Sequence, residues 1–263
     1  MTPSTGQNKI RAQKNLSIRL SPDGLSFWTA DSANPAGETY PECRPVAGSE
    51  STETFLAFGK ALSVDENLRR AASKCVEMAG WQGGPVRLMP DTRNTVLIPA
   101  VLFDPRQTDD YLALNSIGVS GEEKVFVSRL SSPLPDAAVV MVYDRAAVGI
   151  LEEAFGNKLW ITSLFDAAAG YQGRKFKKKD TGKDFTTLYL TPSNVYITIQ
   201  PVTGGDWKYC EALPYSSPAD VLYYMHELAA KFDIRKTPLY IKGYGAEKAG
   251  KVLRKPFKRC KCE

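Results

Sequence analysis

Alternating apolar and polar residues begin the folded part of the chain. Residues 15–20 alternate in this way, which predicts a half-buried strand. Ser21-Pro22-Asp23-Gly24 follows as a turn, because Pro22 presets φ and Gly24 supplies a positive φ. Residues 25–30 return as a second strand. The chain therefore opens with a hairpin, and we expect residues 1–14 to be a disordered lead.

Two later segments carry apolar residues at helical spacing behind an N-terminal cap. Ser63-Val64-Asp65-Glu66 is a capping box that begins a helix running to about Met78. Ser217, with Pro218 at the first helical position, begins another. Between them, the continuous apolar run 137–143 predicts a strand buried on both faces. Strands alternate with helices here, so we expect a sheet with crossover helices.

The segments that begin at Leu20 and Leu190 share one pattern. Each has a strand, a hydroxyl residue, proline, a polar residue, then Gly or Asn before a second strand. Glycine and asparagine best tolerate the left-handed conformation that such a turn needs. Each hairpin also begins a β-β-(β)-α unit that is followed by β-α. The sequence thus predicts an α/β fold made by duplication.

This duplicated pattern resembles the actin-like ATPase fold, in which two ribonuclease H-like halves (β-β-β-α-β-α) face each other over a cleft. A closer resemblance is to an uncharacterised bacterial domain-of-unknown-function family with that fold. The matching segments are Leu16-Ser17-Ile18-Arg19-Leu20-Ser21-Pro22-Asp23-Gly24, Ser217-Pro218-Ala219-Asp220-Val221-Leu222-Tyr223-Tyr224 and Pro238-Leu239-Tyr240-Ile241-Lys242-Gly243. The resemblance implies a fold and no reaction.

The resemblance also implies a division of the chain. The first half covers residues 15–172 and carries an insertion around 85–130. The second half covers residues 173–255, and residues 256–263 form a basic tail.

Active actin-like ATPases place Asp-x-Gly at the first strand-turn of each half, where the carboxylates hold Mg²⁺. When the strands are aligned with that pattern, Arg19-Leu20-Ser21 and Tyr189-Leu190-Thr191 take the places of the two Asp-x-Gly triplets. Both acids are therefore missing. Magnesium binds through carboxylates and phosphates, so we expect the nucleotide site to be degenerate, with no catalytic residues and no metal. The motifs do not support ATP as a cofactor, and the residues left to contact it are Ser21, Thr191, Gly243 and Gly245.

The net charge of +5 on 263 residues is unevenly spread. Residues 174–183 and 251–263 are both strongly basic, and the remainder is acidic. The first basic run, flanked by aromatic residues, is typical of a phosphate-tracking surface, and a solvated linker is the alternative. Its candidate nucleic-acid contacts are Arg174, Lys175, Lys177, Lys178 and Lys179.

Five cysteines and one histidine limit the chemistry. His226 alone excludes any site that needs two histidines, and we expect it to be an ordinary helix residue. An odd cysteine count and a polar N-terminus without an apolar core favour a reduced cytoplasmic protein without a signal peptide. Cys260 and Cys262 are too close for a zinc CxxC motif, which favours a frayed tail with free thiols.

Three functional hypotheses remain open. The first is a non-catalytic scaffold or assembly protein with an unidentified protein partner and no membrane contact. The second is a regulator that binds a nucleotide without hydrolysing it. The third is nucleic-acid binding through residues 174–183.

Overall fold

The computed structural model describes residues 14–31, 53–130, 135–168, 180, 182–203 and 207–262. Within these ranges the chain forms thirteen strands and six α-helices. The strands are β1 (Lys14–Ser21), β2 (Gly24–Asp31), β3 (Thr54–Ala57), β4 (Val86–Pro90), β5 (Thr95–Pro99), β6 (Glu123–Arg129), β7 (Ala137–Asp144), β8 (Leu159–Ile161), β9 (Asp184–Leu190), β10 (Asn194–Pro201), β11 (Tyr209–Pro214), β12 (Leu239–Gly243) and β13 (Cys260–Cys262). The helices are α1 (Val64–Ala79), α2 (Thr108–Leu114), α3 (Arg145–Phe155), α4 (Leu164–Ala168), α5 (Pro218–Lys231) and α6 (Ala246–Leu253).

Two five-stranded sheets have the same topology. Their strand orders are β3-β2-β1-β4-β8 and β11-β10-β9-β12-β13. In each sheet the first hairpin is antiparallel, and its first strand pairs in parallel with the strand that follows the crossover helix. The predicted α/β class and the duplicated β-β-β-α-β-α architecture are confirmed.

The duplication extends to the register of the two hairpins. Arg19 on β1 pairs with Ser26 on β2, and Tyr189 on β9 pairs with Tyr196 on β10. The neighbouring pair Leu20–Leu25 corresponds to the pair Leu190–Val195 in the second hairpin. Side chains at matched positions therefore point to matched faces of the two sheets.

Helix ends follow the caps that the sequence predicts. The Glu66 backbone N–H donates to Ser63 Oγ, and the Ser63 N–H donates to Glu66 Oε2, which completes the capping box of α1. At the start of α5, the Ser217 N–H donates to the Asp220 carboxylate. Helix α1 packs with α3 in the first half, and α5 packs with α6 in the second.

An additional sheet, β5-β7-β6, lies between β4 and α3 in the chain and packs with α2. The sequence placed the insertion around 85–130, but β4 belongs to the first five-stranded sheet and β7 to the additional one. Strand β7 is buried on both faces, as predicted. Val139 and Met141 join the core of the first half, whereas Val140 and Val142 join a small core under α2. An apolar run of this kind does not reveal which sheet the strand enters.

The C-terminal segment is ordered, in contrast to the predicted frayed tail. Cys260–Cys262 forms β13, a parallel edge strand on β12. The Cys262 thiol packs against Gly250 of α6, and a Cβ at Gly250 would lie only 2.2 Å from its Sγ. The strand is stabilised by pairing with β12 and by this close helix contact, neither of which a three-residue pattern predicts. Almost all of the predicted lead, residues 1–13, lies outside the described residues.

The two halves share a buried boundary. Tyr189 and Tyr196 belong to the second sheet but pack into the core of the first half. Phe165 of α4 lies between the halves, with its ring centroid 5.2 Å from that of Tyr196 and 6.3 Å from that of Trp207. Aromatic burial therefore holds the halves together.

We predict that Gly243→Ala destabilises the protein much more than Gly83→Ala. Both glycines have φ of +86°. A Cβ at Gly243 would lie 2.1 Å from the Leu190 carbonyl oxygen, whereas no heavy atom lies within 4 Å of one at Gly83. The left-handed conformation alone costs about 1–2 kcal/mol, and only Gly243→Ala adds a backbone clash. Urea denaturation of both variants measures the difference, and equal losses would contradict the prediction.

Candidate functional site

The ends of the central strands meet at one place between the halves. The Asp91 backbone N–H, directly after β4, donates to the Leu20 carbonyl oxygen at 2.7 Å. The Tyr244 N–H, directly after β12, donates to the Leu190 carbonyl oxygen at 2.8 Å. The same contact therefore occurs in both halves and aligns the carboxyl ends of the strands, where open α/β folds bind ligands.

Arg19 occupies the position at which active actin-like ATPases are expected to carry an acid. Its guanidinium, only 2% exposed, donates to Tyr189 Oη at 3.0 Å and to Ser26 Oγ at 2.9 Å. A salt bridge of 2.7 Å joins it to Glu53. Burial lowers the pKa of Arg19, but Tyr189 and Glu53 outweigh this effect and raise the pKa above its usual value. The cation therefore connects the two halves.

Asp91 is the functional candidate that the sequence analysis did not find. It is 4% exposed, and its Oδ1 accepts from Asn194 Nδ2 at 2.8 Å and from Tyr196 Oη at 3.0 Å. Burial raises the pKa of this carboxyl, although hydrogen bonds from Thr191, Asn194 and Tyr196 lower it. The only feature of the sequence that indicates a role for Asp91 is its position directly after a buried strand. Its hydrogen-bond partners lie in the other half.

Three tyrosines lie around this carboxyl: Tyr189 and Tyr196 are buried, and Tyr143 is half-buried. Burial raises the pKa of Tyr189 to about 12 and that of Tyr196 well above its usual value. Burial also raises the pKa of Tyr143, whose hydroxyl donates to the Leu20 carbonyl oxygen at 3.3 Å. All three are neutral phenols at neutral pH, so they serve as hydrogen-bonding groups.

The four predicted cofactor contacts lie at these strand ends, and each has a structural role. Ser21 Oγ donates to the Gly24 carbonyl oxygen, and Thr191 Oγ1 donates to that of Asn194 while accepting from its N–H. Gly243 allows β12 to approach the Leu190 carbonyl. A Cβ at Gly245 would lie 3.0 Å from the Tyr215 hydroxyl. Their contact with ATP stays a prediction.

Other candidates lie elsewhere or outside the described residues. His226 is exposed on α5, and its Nδ1 lies 3.4 Å from the Arg235 guanidinium. Within the described ranges, no group of three or more His, Cys, Asp or Glu side chains could hold a metal. The predicted nucleic-acid contacts at 174, 175, 177, 178 and 179 fall outside those ranges.

The sequence pattern of one family, described as "Protein of unknown function (DUF3822)", matches residues 3–256. The chain belongs to this family. No curated protein matches the DUF3822 chain at a significant level. The resemblance to a domain-of-unknown-function family is thereby confirmed, and the family description assigns no reaction.

Solved structures show the fold of this DUF3822 member. A protein of unknown function with an actin-like ATPase fold, from Bacteroides thetaiotaomicron VPI-5482, is 17% identical. The match covers 96% of this chain and 91% of that one, with a TM-score of 0.70. A chain of the PilM–PilN type IV pilus biogenesis complex is 12% identical, with 95% and 88% coverage and a TM-score of 0.55.

No helix in the described part of the DUF3822 chain is long and apolar enough to cross a membrane.

We predict that the stability of the Asp91→Asn variant, compared with that of the wild type, increases as the pH rises. Because burial raises the folded-state pKa of Asp91, the folded protein binds its proton more tightly than the unfolded chain does. The stability that this proton contributes is present at acid pH and is lost as the pH rises through the folded-state pKa. The measurement is the difference in unfolding free energy between the variant and the wild type from about pH 4 to 7. A difference independent of pH would contradict the prediction.

We predict that Tyr189→Phe lowers the free energy of unfolding by about 1–3 kcal/mol, because a buried Arg19 N–H loses its acceptor. Tyr223→Phe is the matched control. Tyr223 is 62% exposed, and its loss of a hydroxyl should change stability by less than about 0.5 kcal/mol. Chemical denaturation of both variants measures this, and equal effects would show that the bond between the halves contributes nothing.

Proposed function

We propose that the protein is a non-catalytic scaffold or assembly protein built on the actin-like fold. The observation that carries the proposal is the buried Arg19 guanidinium, which connects the two halves through Tyr189 at the predicted nucleotide site. In this position the chain places a fixed cation where hydrolysis requires a carboxylate to hold Mg²⁺.

The electrostatics at this point disfavour a divalent cation. Arg19 repels a metal ion. The nearby carboxylate of Glu53 is already engaged in a salt bridge with Arg19. Tyr189, on the matching strand, has a pKa that burial raises to about 12, so it brings no negative charge at neutral pH. The two positions that supply paired acids in active enzymes thus supply one cation and one neutral phenol.

Asp91 does not replace the missing pair. Its Oδ1 accepts hydrogen bonds from Asn194 and Tyr196, both on the second sheet. A single carboxylate engaged in this way ties the halves to each other. This supports a rigid role for the inter-half contact, in keeping with a protein that presents surfaces and does not cycle with a nucleotide.

The partner that we propose is another protein. PilM, which has the same fold, occurs in a complex with PilN. In this chain the additional sheet region exposes large apolar side chains, which are typical of a protein contact. Val101 is 91% exposed, Leu102 is 68% exposed and Leu114 is 83% exposed. We further propose that the protein acts in the cytoplasm, a location that its free cysteines, including Cys75, favour.

We predict that the purified protein releases no phosphate from ATP with Mg²⁺ above the protein-free rate. Without paired carboxylates, the charge that develops on the transferred phosphoryl group has no metal to neutralise it. A phosphate-release assay over several hours measures this, with Asp91→Asn assayed in parallel. Magnesium-dependent release that Asp91→Asn abolishes would overturn the proposal.

A thermal-shift titration separates the scaffold from a nucleotide-binding regulator. A ligand that binds only the folded state raises Tm by mass action. We expect no shift with millimolar ATP, ADP or GTP. A saturable shift without hydrolysis would favour the regulator.

A further inference from the structure

The C-terminal part of the second half carries a concentration of positive charge that the inter-half contact does not use. From Ala246 to Cys262, Glu247 is the only acid. Six bases in this stretch are exposed and form no salt bridge with the described residues. We call them the C-terminal basic surface: Lys248, Lys251, Arg254, Lys255, Lys258 and Lys261.

Helical geometry places the first members of this surface on neighbouring positions. The helical hydrogen bonds continue past α6, because the Arg254 N–H donates to the Gly250 carbonyl and the Phe257 N–H donates to that of Leu253. Lys251 and Lys255 are four residues apart and therefore adjacent on the helix surface. Like charges at this spacing destabilise a helix by a few tenths of a kcal/mol.

Strand β13 extends the surface to the edge of the second sheet. The Arg254 guanidinium lies 3.8 Å from Cys262 Sγ, at the end of this strand. Lys261 points to the other face, where its ammonium lies 5.9 Å from the centroid of the Tyr240 ring. Cations thus line both faces of the sheet edge. Favourable interaction with the helix dipole accounts for charges at the end of α6 but not for Lys261.

Arg259 fixes the position of this edge. Its guanidinium forms two hydrogen bonds, of 2.6 and 2.7 Å, with the carboxylate of Asp180, which is 1% exposed. The hydrogen bonds that Arg259 donates to the Asp180 carboxylate are the main cause of the raised pKa of Arg259. This pair, of which Asp180 is buried and Arg259 partly exposed, anchors the segment before β13, from which the neighbouring cations project.

We propose that the C-terminal basic surface binds the phosphate backbone of a nucleic-acid duplex without reading its sequence. Five of its six members are lysines, which act as point charges on phosphates and do not offer the planar fork with which arginine reads a guanine edge. The proposal concerns only described residues and is separate from the predicted contacts at 174–179.

The surface fits a duplex better than a single strand or a membrane. Single-strand binding relies on exposed aromatic rings, whereas Phe257, the one aromatic residue from Ala246 to Cys262, is fully buried. Membrane association relies on inserted apolar side chains. Val252, at 36% exposure, is the only exposed large apolar residue from 246 to 262.

The test is a fluorescence-anisotropy titration of a short fluorescein-labelled DNA duplex with the full chain at several salt concentrations. The variant Lys251→Gln/Lys255→Gln/Lys258→Gln removes three cations, two of them neighbours on the helix, and leaves Lys261, which lies on the opposite face of the sheet edge. We expect it to weaken binding about tenfold or more at low salt and to flatten the slope of log K against log salt by about 2.7, since each phosphate contact contributes about 0.9.

The matched control is Lys60→Gln/Lys74→Gln/Lys158→Gln, which removes three exposed cations from the first half. We expect its affinity to stay within about twofold of the wild type, because these positions make no phosphate contact. Absence of duplex binding at the lowest salt, wild-type affinity in the test variant, or equal weakening in both variants would each overturn the proposal. Binding to phosphatidylserine vesicles without duplex binding would overturn it in favour of a membrane.

Discussion

A buried cation at the junction of the halves is the constraint on which the site depends. Arg19 is one of the least exposed charged residues in the described structure, and burying a guanidinium is costly unless polar or charged groups accept most of its hydrogen bonds. Those partners come from β2, from Glu53 and from Tyr189 of the opposite half. If the halves separated, Arg19 would lose the Tyr189 hydroxyl and the ring beneath it. The closed arrangement is therefore favoured by the charge that the site encloses.

This constraint also explains why the tyrosines and the acid around it are neutral or internally bonded. The carboxylate of Asp91 attracts the buried positive charge of Arg19. The Tyr196 hydroxyl and the Asn194 amide both donate to Oδ1 of this carboxylate. Side-chain networks of this kind stabilise a structure to the extent that their members are paired, and here only Arg19 Nε and Asp91 Oδ2 lack a hydrogen-bond partner among the described residues of the network. A nucleotide with its metal would have to replace these bonds before it could bind between the halves. These bonds support the proposal that the junction is a lasting contact between the halves.

The sequence predicted the duplicated architecture because both hairpins carry the same residue pattern at the turn. The left-handed conformation that this pattern predicted at Gly24 and Asn194 was wrong, since neither residue has a positive φ. The sequence also predicted the absence of paired acids, since Arg19 and Tyr189 occupy matched positions. It could not predict that Arg19 is buried, because alternation places this residue on the polar face of β1 and the second half covers that face. The role of Asp91 could not be predicted for a related reason. Its partners follow about a hundred residues later, and only the folded chain brings them together. The three residues of β13 were too few for any pattern to indicate pairing.

The matched strand ends show how duplication allowed the halves to take different roles. Asp91 and Tyr244 make the same backbone contact with Leu20 and Leu190, so the two positions are structurally equivalent. The first half places a buried carboxylate there, whereas the second places an exposed phenol after Gly243, whose close approach to Leu190 leaves no space for a side chain. The polar groups that meet between the halves are therefore asymmetric: the first half contributes the charges and the second contributes Tyr189, Asn194 and Tyr196 as neutral partners. This asymmetry supplies the hydrogen bonds that join the halves, because each charged group of the first half meets a neutral hydrogen-bonding partner in the second.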